Sequence, residues 1–111
     1  MPNPIDEGTQ SATGSEDTLY AATTSRVTQL VINVDNMQSG DTIVIREKQK
    51  VLSGDSVALV NATTLTGADG SLPESAVVFF TNPLSGSYGV TYTLEQTAGT
   101  NRDYKWRVDE L

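Results

Sequence analysis

The fold class is decided by residues 27–35, which read VTQLVINVD. Apolar and polar side chains alternate along this segment, and the alternation places four residues on one face: Thr28, Leu30, Ile32 and Val34. A period of two residues is typical of a β-strand that buries one face, whereas a helix would need a period of 3.6. The segment therefore predicts a strand with these four residues in the core.

Similar short runs lie on both sides of this strand and are separated by turn residues. The sequences NMQSGD at 36–41 and SGD at 53–55 combine glycine with short polar side chains, which favour turns. We expect about seven strands, beginning near Thr18, Val27, Thr42, Ser56, Ala76, Tyr88 and Asp103. No segment keeps a helical period over an ordinary helix length. The sequence predicts an all-β fold, a single antiparallel β-sandwich of jelly-roll or Ig-like type over residues 18–111.

Alternation also assigns the aromatic residues of the last two strands. It places Tyr88, Val90, Tyr92 and Leu94 inward on one strand, and Tyr104, Trp106 and Val108 inward on the other. We interpret these aromatic side chains as core; the alternative is an exposed platform for sugar rings, as in a glycan-binding module. The run AVVFF at 76–80 is apolar on both faces, which predicts burial within the chain or at a subunit contact.

Residues 1–17, MPNPIDEGTQSATGSED, differ from the rest of the chain. They contain two prolines, two glycines and four acidic residues, and Ile5 is their one large aliphatic side chain after the first Met. Such a segment buries too little apolar surface to offset its ordering entropy. We expect an extended acidic N-terminal arm, either disordered or ordered against a partner. Ile5, Asp6 and Glu7 are its candidate interface residues.

Charge and missing residue types exclude several functions. The 111 residues include 14 acidic and 7 basic side chains, a net charge of −7, so nucleic acid is not an expected partner. Without Cys or His, the chain lacks disulfides, thiolate and imidazole catalysts and the usual zinc ligands. Its carboxylate pairs are adjacent in sequence and so point apart on a strand, and VDNMQSGD and TGADG lack calcium-loop spacing. We expect no enzyme activity, no cofactor and no metal.

Two further observations concern membranes and the loop before residue 76. No stretch approaches the roughly 18 apolar residues of a membrane span, and the start, MPNPIDEGTQ, does not resemble a signal peptide. We expect synthesis in the cytoplasm and no membrane partner. The segment TLTGADGSLPES at 64–75 has no periodicity and predicts a loop of the kind that often carries contacts.

Five of the seven basic residues fall on two predicted strands: Arg46, Lys48, Lys50, Lys105 and Arg107. Within each strand they share a face. One interpretation is a solvated face that protects a sheet edge. The other is a basic stripe that pairs with an acidic surface, either the chain's own arm or a neighbouring subunit.

Two segments resemble a known group of proteins. They are VINVDNMQSGDTIVIREKQKVLSGDSVAL at 31–59 and VTYTLEQTAGTNRDYKWRVDEL at 90–111. Their NM-x-x-GD turn, the strand ending KVLSG and the closing TLxQTxGTxR run with Trp106 resemble small virion-associated proteins of tailed bacteriophages. The resemblance covers about half of the chain. Tyr104-Lys105-Trp106 stands where that group has a Phe-Pro-Trp-like triplet, and a missing Pro alters edge character rather than fold class.

The resemblance implies a virion structural protein with no catalytic residues. We expect a capsid decoration or cement protein on the outer surface of a phage head, with the major capsid protein and neighbouring copies of itself as partners. A homo-oligomer would fit this role. A tail or head–tail connector subunit and a glycan-binding module are the alternatives.

Overall fold

The structure is a computed structural model that describes residues 3–67 and 78–111. These residues form nine β-strands and no helix. The strands are β1 (Asn3–Ser11), β2 (Glu16–Ala21), β3 (Arg26–Asn33), β4 (Thr42–Gln49), β5 (Ala58–Thr66), β6 (Val78–Phe80), β7 (Leu84–Gly86), β8 (Val90–Ala98) and β9 (Asp103–Glu110).

The nine strands form two antiparallel sheets that pack as a sandwich, which confirms the predicted fold class. The first sheet has the order β1-β9-β3-β6, and β7 also pairs with β3; the second has the order β2-β8-β4-β5. The chain crosses repeatedly between the two sheets, and two of these crossings lie between β3 and β4 and between β8 and β9. Residues that are close in sequence on either side of these crossings therefore belong to different sheets.

The core lies between the sheets and follows the alternation of the strands. On β3 and directly after it, all four residues predicted to point inward are buried: Thr28, Leu30, Ile32 and Val34. The second sheet contributes Ile43, Ile45, Tyr92 and Leu94 to the same core. Hydroxyl groups of Thr28 and Tyr92 form a 2.8 Å hydrogen bond across it, which satisfies two polar groups that would otherwise be costly to bury.

The N-terminal segment is placed differently from the expected separate arm. Asn3–Ser11 pairs with β9 as the edge strand of the first sheet, and the boundary expected at residue 17 falls inside β2. Ile5 is half-buried and packs against the chain's own core. The physical reason is that an edge strand obtains backbone hydrogen bonds from its neighbour, so it needs few apolar side chains of its own.

Other boundaries also differ from the predictions. Thr64 and Thr66 belong to β5 rather than to a loop, while residues 68–75 of that loop and residues 76–77 of the run AVVFF lie outside the described residues. In β6, Phe79 packs against the core but Val78 and Phe80 are exposed. That short strand therefore is not buried on both faces within the chain, and burial at a subunit contact stays a prediction.

The aromatic residues follow the core interpretation with one exception. Tyr92 and Tyr104 are fully buried, and Trp106 is half-buried, with its indole over Gly8 of the edge strand. Tyr88 was predicted to point inward, and this is wrong, because β8 begins only at Val90 and the residue lies in the preceding turn. The alternation predicted a strand from Tyr88, two residues too early, because the turn that includes Gly89 ends before the strand begins.

Replacing Trp106 with Ala should destabilise the fold by about 2–4 kcal/mol, because it removes a large aromatic ring packed on the core. Tyr88→Ala, at an exposed aromatic residue, is the matched control and should change the free energy of unfolding by less than about 1 kcal/mol. Urea unfolding followed by circular dichroism measures both. A Trp106→Ala protein of normal stability that no longer binds a polysaccharide bound by the wild type would instead support the sugar-platform interpretation.

Candidate interaction surfaces

The five basic candidates do not form one stripe. Arg46 and Lys48 alternate with buried residues of β4 and so lie on the outer face of the second sheet, and Lys50 follows directly after that strand. Lys105 and Arg107 lie on the outer face of the first sheet. The outer faces of a sandwich point away from each other. The prediction of a single stripe is therefore wrong, because periodicity identifies the face of a strand but not its sheet.

On the second sheet, two of these residues form ion pairs inside the chain. Arg46 Nη1 lies 2.8 Å from Glu95 Oε1, and Lys48 Nζ lies 2.6 Å from Glu16 Oε2. The hydroxyl of Thr93 also donates to Glu16 Oε2, at 2.6 Å. Hydrogen bonds from Lys48 and Thr93 lower the pKa of Glu16 despite its partial burial. Lys48 therefore pairs with an acidic residue of the chain's own N-terminal segment, which was one of the partners considered for the basic residues.

The first-sheet group consists of Lys105, Arg107 and the N-terminal candidates Asp6 and Glu7, all exposed. Arg107 lies opposite Glu7 in the register and donates from Nε to both carboxylate oxygens of Asp109, at 3.1 and 3.2 Å. Asp6 accepts the backbone N–H of Glu7. Acidic and basic side chains are thus interspersed on this face, and the Arg107–Asp109 pair joins an exposed guanidinium to a buried carboxylate.

Exposed apolar side chains concentrate on the turn and strand that follow β4. Of the ten large exposed apolar residues in the described part of the chain, five lie here: Val51, Leu52, Val57, Leu59 and Val60. We name residues 50–60 the exposed hairpin. Its turn is held by Asp55, whose N–H donates to the Leu52 carbonyl at 3.0 Å and whose carboxylate accepts the Leu52 N–H at 3.2 Å. Hydrogen bonds therefore fix the turn while its apolar side chains remain exposed to solvent. Exposed apolar side chains that cluster in this way are typical of an interaction surface.

At the other end of β4, a buried carboxylate joins two turns that are distant in sequence. Asp41 accepts three hydrogen bonds: from the N–H of Gln38 at 2.8 Å, the N–H of Thr100 at 3.0 Å and Nε of Arg102 at 2.9 Å. Burial alone would raise the pKa of Asp41, but these donors more than offset burial and hold the pKa below its ordinary value. The carboxylate therefore stays charged and fixes the β3–β4 turn against the β8–β9 turn.

Gly99 shows how closely the two turns approach. Its φ of +82° is in the left-handed region, and a Cβ placed on it would overlap the carboxylate of Asp41. The Asp41 carbonyl also accepts the N–H of Gly67 at 2.9 Å, which holds the end of β5 at the same place. Three chain crossings therefore meet at one carboxylate residue.

Gln96 extends this network into the core. Its Nε2 donates to the carbonyls of Ala98 and Thr100 at 3.1 and 2.7 Å, and its Oε1 accepts from the Tyr104 hydroxyl at 2.8 Å and the Arg102 N–H at 3.2 Å. Burial raises the pKa of Tyr104 to about 12, so its hydroxyl remains a donor. We name the set the Asp41 cluster: Gln38, Asp41, Gln96, Thr100, Arg102 and Tyr104.

The cluster was missed by sequence reasoning, although part of its signal was present. Gly40-Asp41 and the run from Gln96 to Arg102 belong to two of the three motifs singled out in the sequence, and these two meet here. The motifs were recognised as patterns, but the sequence did not reveal that they contact each other. Their common role in this chain is to close one end of the sandwich.

A second buried carboxylate, Glu47, points inward from β4. It faces Asn61 on β5 and Tyr92 on β8. Burial raises the pKa of Glu47, and a hydrogen bond with Asn61 offsets only part of this effect. Glu47 is therefore a site where the fold favours the protonated carboxyl group.

Within residues 3–67 and 78–111, no three His, Cys, Asp or Glu side chains come together in a way that could hold a metal ion. The same residues include no helix of the length and hydropathy that crossing a bilayer requires.

Comparison with family models, with curated proteins and with solved structures finds no match to this chain.

Asp41→Asn should lower the free energy of unfolding at pH 7 by about 2–3 kcal/mol, because it removes a charged acceptor of several hydrogen bonds. Since folding lowers the pKa of Asp41, its contribution is complete above the ordinary value of 3.8 and is lost as the pH falls through the folded-state value. The wild-type loss of stability on acidification should therefore be smaller in Asp41→Asn. Urea unfolding at pH 7 and at about pH 3 tests this, and Asp35→Asn, at an exposed position of the same turn, is the control. Equal pH dependence in wild type and Asp41→Asn would contradict the role of the cluster.

Glu47→Gln should have the opposite effect at neutral pH. Since folding raises the pKa of Glu47, protonation stabilises the fold below the ordinary value of 4.5, and this contribution is lost as the pH rises through the folded-state value. An uncharged isostere should therefore raise the midpoint of urea unfolding at pH 7 and leave it unchanged near pH 3. A lower midpoint for Glu47→Gln at pH 7 would show that the charged form has a stabilising partner.

Proposed function

We propose that this protein is a non-catalytic structural component of a tailed-phage virion, most specifically a decoration or cement protein bound to the outer surface of the head. The observation that carries the proposal is the turn of the exposed hairpin, where Val51 and Leu52 are held in solvent beside hydrogen bonds that fix the turn. An isolated domain gains nothing from such side chains, whereas a lattice-binding protein can bury them against its partner.

The sequence resemblance supports the same role from a different direction. The KVLSG part of the resembling segment is residues 50–54, which form the turn of the exposed hairpin. The other resembling motifs build the Asp41 cluster at the far end of β4. The quoted pattern thus combines one group of residues that stabilises the sandwich with one that is available for contacts.

The mechanism would be mechanical. Val51 and Leu52 would insert into an apolar depression of the major capsid protein, and Lys50 beside them would face acidic groups of that partner. Each contact would be weak, but many copies on one shell, each bridging neighbouring capsid subunits, would resist expansion of the shell together. A rigid sandwich suits this task because it would keep its contact residues in place when the shell is under load.

Mass spectrometry of purified virions tests the assignment through copy number. Hundreds of copies per particle are expected for a decoration protein, whereas tens would indicate a tail or connector subunit. Finding no copies in virions that package normally would overturn both assignments.

Leu52→Lys should strongly reduce the number of copies bound per particle, because a buried apolar contact would be replaced by an unpaired charge. Phe80→Lys is the matched control, since Phe80 is 62% exposed and Leu52 64%, but it lies on the other sheet. Particles stripped of the protein are incubated with each variant, and bound copies are quantified after sedimentation. Loss of binding by Phe80→Lys but not by Leu52→Lys would move the contact from the hairpin to β6.

A further inference from the structure

The edge strands of the two sheets differ in their charge. On the first sheet, β1 carries Asp6 and Glu7, and on the second sheet β2 carries Glu16 and Asp17. The remaining edge of the second sheet is β5, and residues 56–66 contain no charged side chain and no proline. Charged residues and prolines are the usual protection of an edge against pairing, so β5 lacks a device that β1 and β2 have.

The exposed part of β5 is also apolar. Leu59 and Val60 are exposed, and Ala58 and Ala62 beside them are exposed as well. The register shifts between Glu47 and Lys48 of the neighbouring strand, which leaves Val60 without an opposite residue. No strand in the described part of the chain pairs with the outer side of β5.

We propose that β5 is a self-association surface, and that two copies of this chain pair antiparallel along β5 about a two-fold axis. The absence of charged residues on β5 favours a second copy of the chain as its partner. At a two-fold axis every side chain near the axis meets its own copy, so a charged residue would meet a like charge. In a chain of net charge −7, β5 is the long edge among the described strands that avoids this repulsion.

Pairing of this kind closes at two copies. Each chain offers one uncharged long edge in its described residues, and the contact uses the same strand on both partners. The result would be one continuous sheet made of the second sheets of two copies. The inference concerns residues 58–64, whereas the proposed capsid contact involves the turn at 50–54, so either can fail without the other.

Salt dependence separates this surface from an ion-paired contact. A contact without charged residues between two acidic chains should tighten as salt screens their mutual repulsion. A contact formed by Lys50, Lys105 or Arg107 with acidic groups should weaken under the same change.

The test is sedimentation equilibrium of the full chain from about 1 μM to about 1 mM, at low and high salt. We expect a concentration-dependent dimer that tightens with salt. Val60→Lys should raise its dissociation constant about tenfold or more. Val78→Lys is the control, since both residues are 46% exposed but Val78 lies on β6. Circular dichroism verifies that each variant is folded.

A charge-exchange experiment identifies the occupant directly. Ala62→Lys and Ala62→Glu, at an exposed position next to the centre of residues 58–64, should each be monomeric alone, while an equimolar mixture should form a mixed dimer, because opposite charges then come close together at the axis. Two results would overturn the proposal. One is a wild-type chain that stays monomeric at every concentration, which would assign the edge to a different partner. The other is a dimer that Val78→Lys disrupts and Val60→Lys does not. A mixture that fails to associate while the wild type dimerises would likewise exclude pairing of β5 with β5.

Discussion

The structure depends on one buried carboxylate. Asp41 stands where the chain crosses from the first sheet to the second between β3 and β4, and it binds the turn between β8 and β9, where the chain crosses in the opposite direction. A sandwich without Cys has no disulfide to fix two such crossings against each other. Here three hydrogen bonds to one carboxylate hold the two turns together. They bring the backbone of residue 99 so close to Asp41 that only glycine fits there. The cost of burying the charge is offset because each of its donors is fixed by the fold.

This arrangement leaves the two ends of β4 with different tasks. The strand has eight residues, or roughly 26 Å at the usual rise. One end is held by the Asp41 cluster, and the other leads into the exposed hairpin. The exposed residues Val51 and Leu52 therefore follow a strand whose far end is fixed. If they form the proposed contact, they would bind without folding of the turn, and so would avoid that entropic cost.

Sequence patterns predicted the parts of the fold that side-chain periodicity controls. Alternation identified the inward face of β3 completely, because each of its residues has a neighbour sheet to face. It failed for the basic residues, since Arg46 and Arg107 share a pattern but lie on different sheets. It failed also at Tyr88, where a turn ends the alternation. The strand β1 was not predicted because its stability comes from backbone pairing with β9, which composition does not record.

The candidate surfaces were predictable to a smaller extent. The sequence left open whether Lys48 is solvated or pairs with an acidic surface of the N-terminal segment or of a neighbouring subunit, and in the structure it pairs with Glu16. The hairpin residues Val51 and Leu52 were quoted within a motif, but the sequence placed them at the end of a strand and not in an exposed turn. The Asp41 cluster requires contacts between residues about 60 positions apart, which only strand order can establish.

The measurement that tests the central claim most directly is amide hydrogen exchange of the full chain, free in solution and bound to purified phage heads. We expect binding to protect the backbone amides of residues 50–57. The exchange rates of the Lys105 and Arg107 amides, in the first sheet, should stay unchanged. Protection centred on the first sheet, or no protected segment on particles that retain the protein, would contradict a contact through the exposed hairpin.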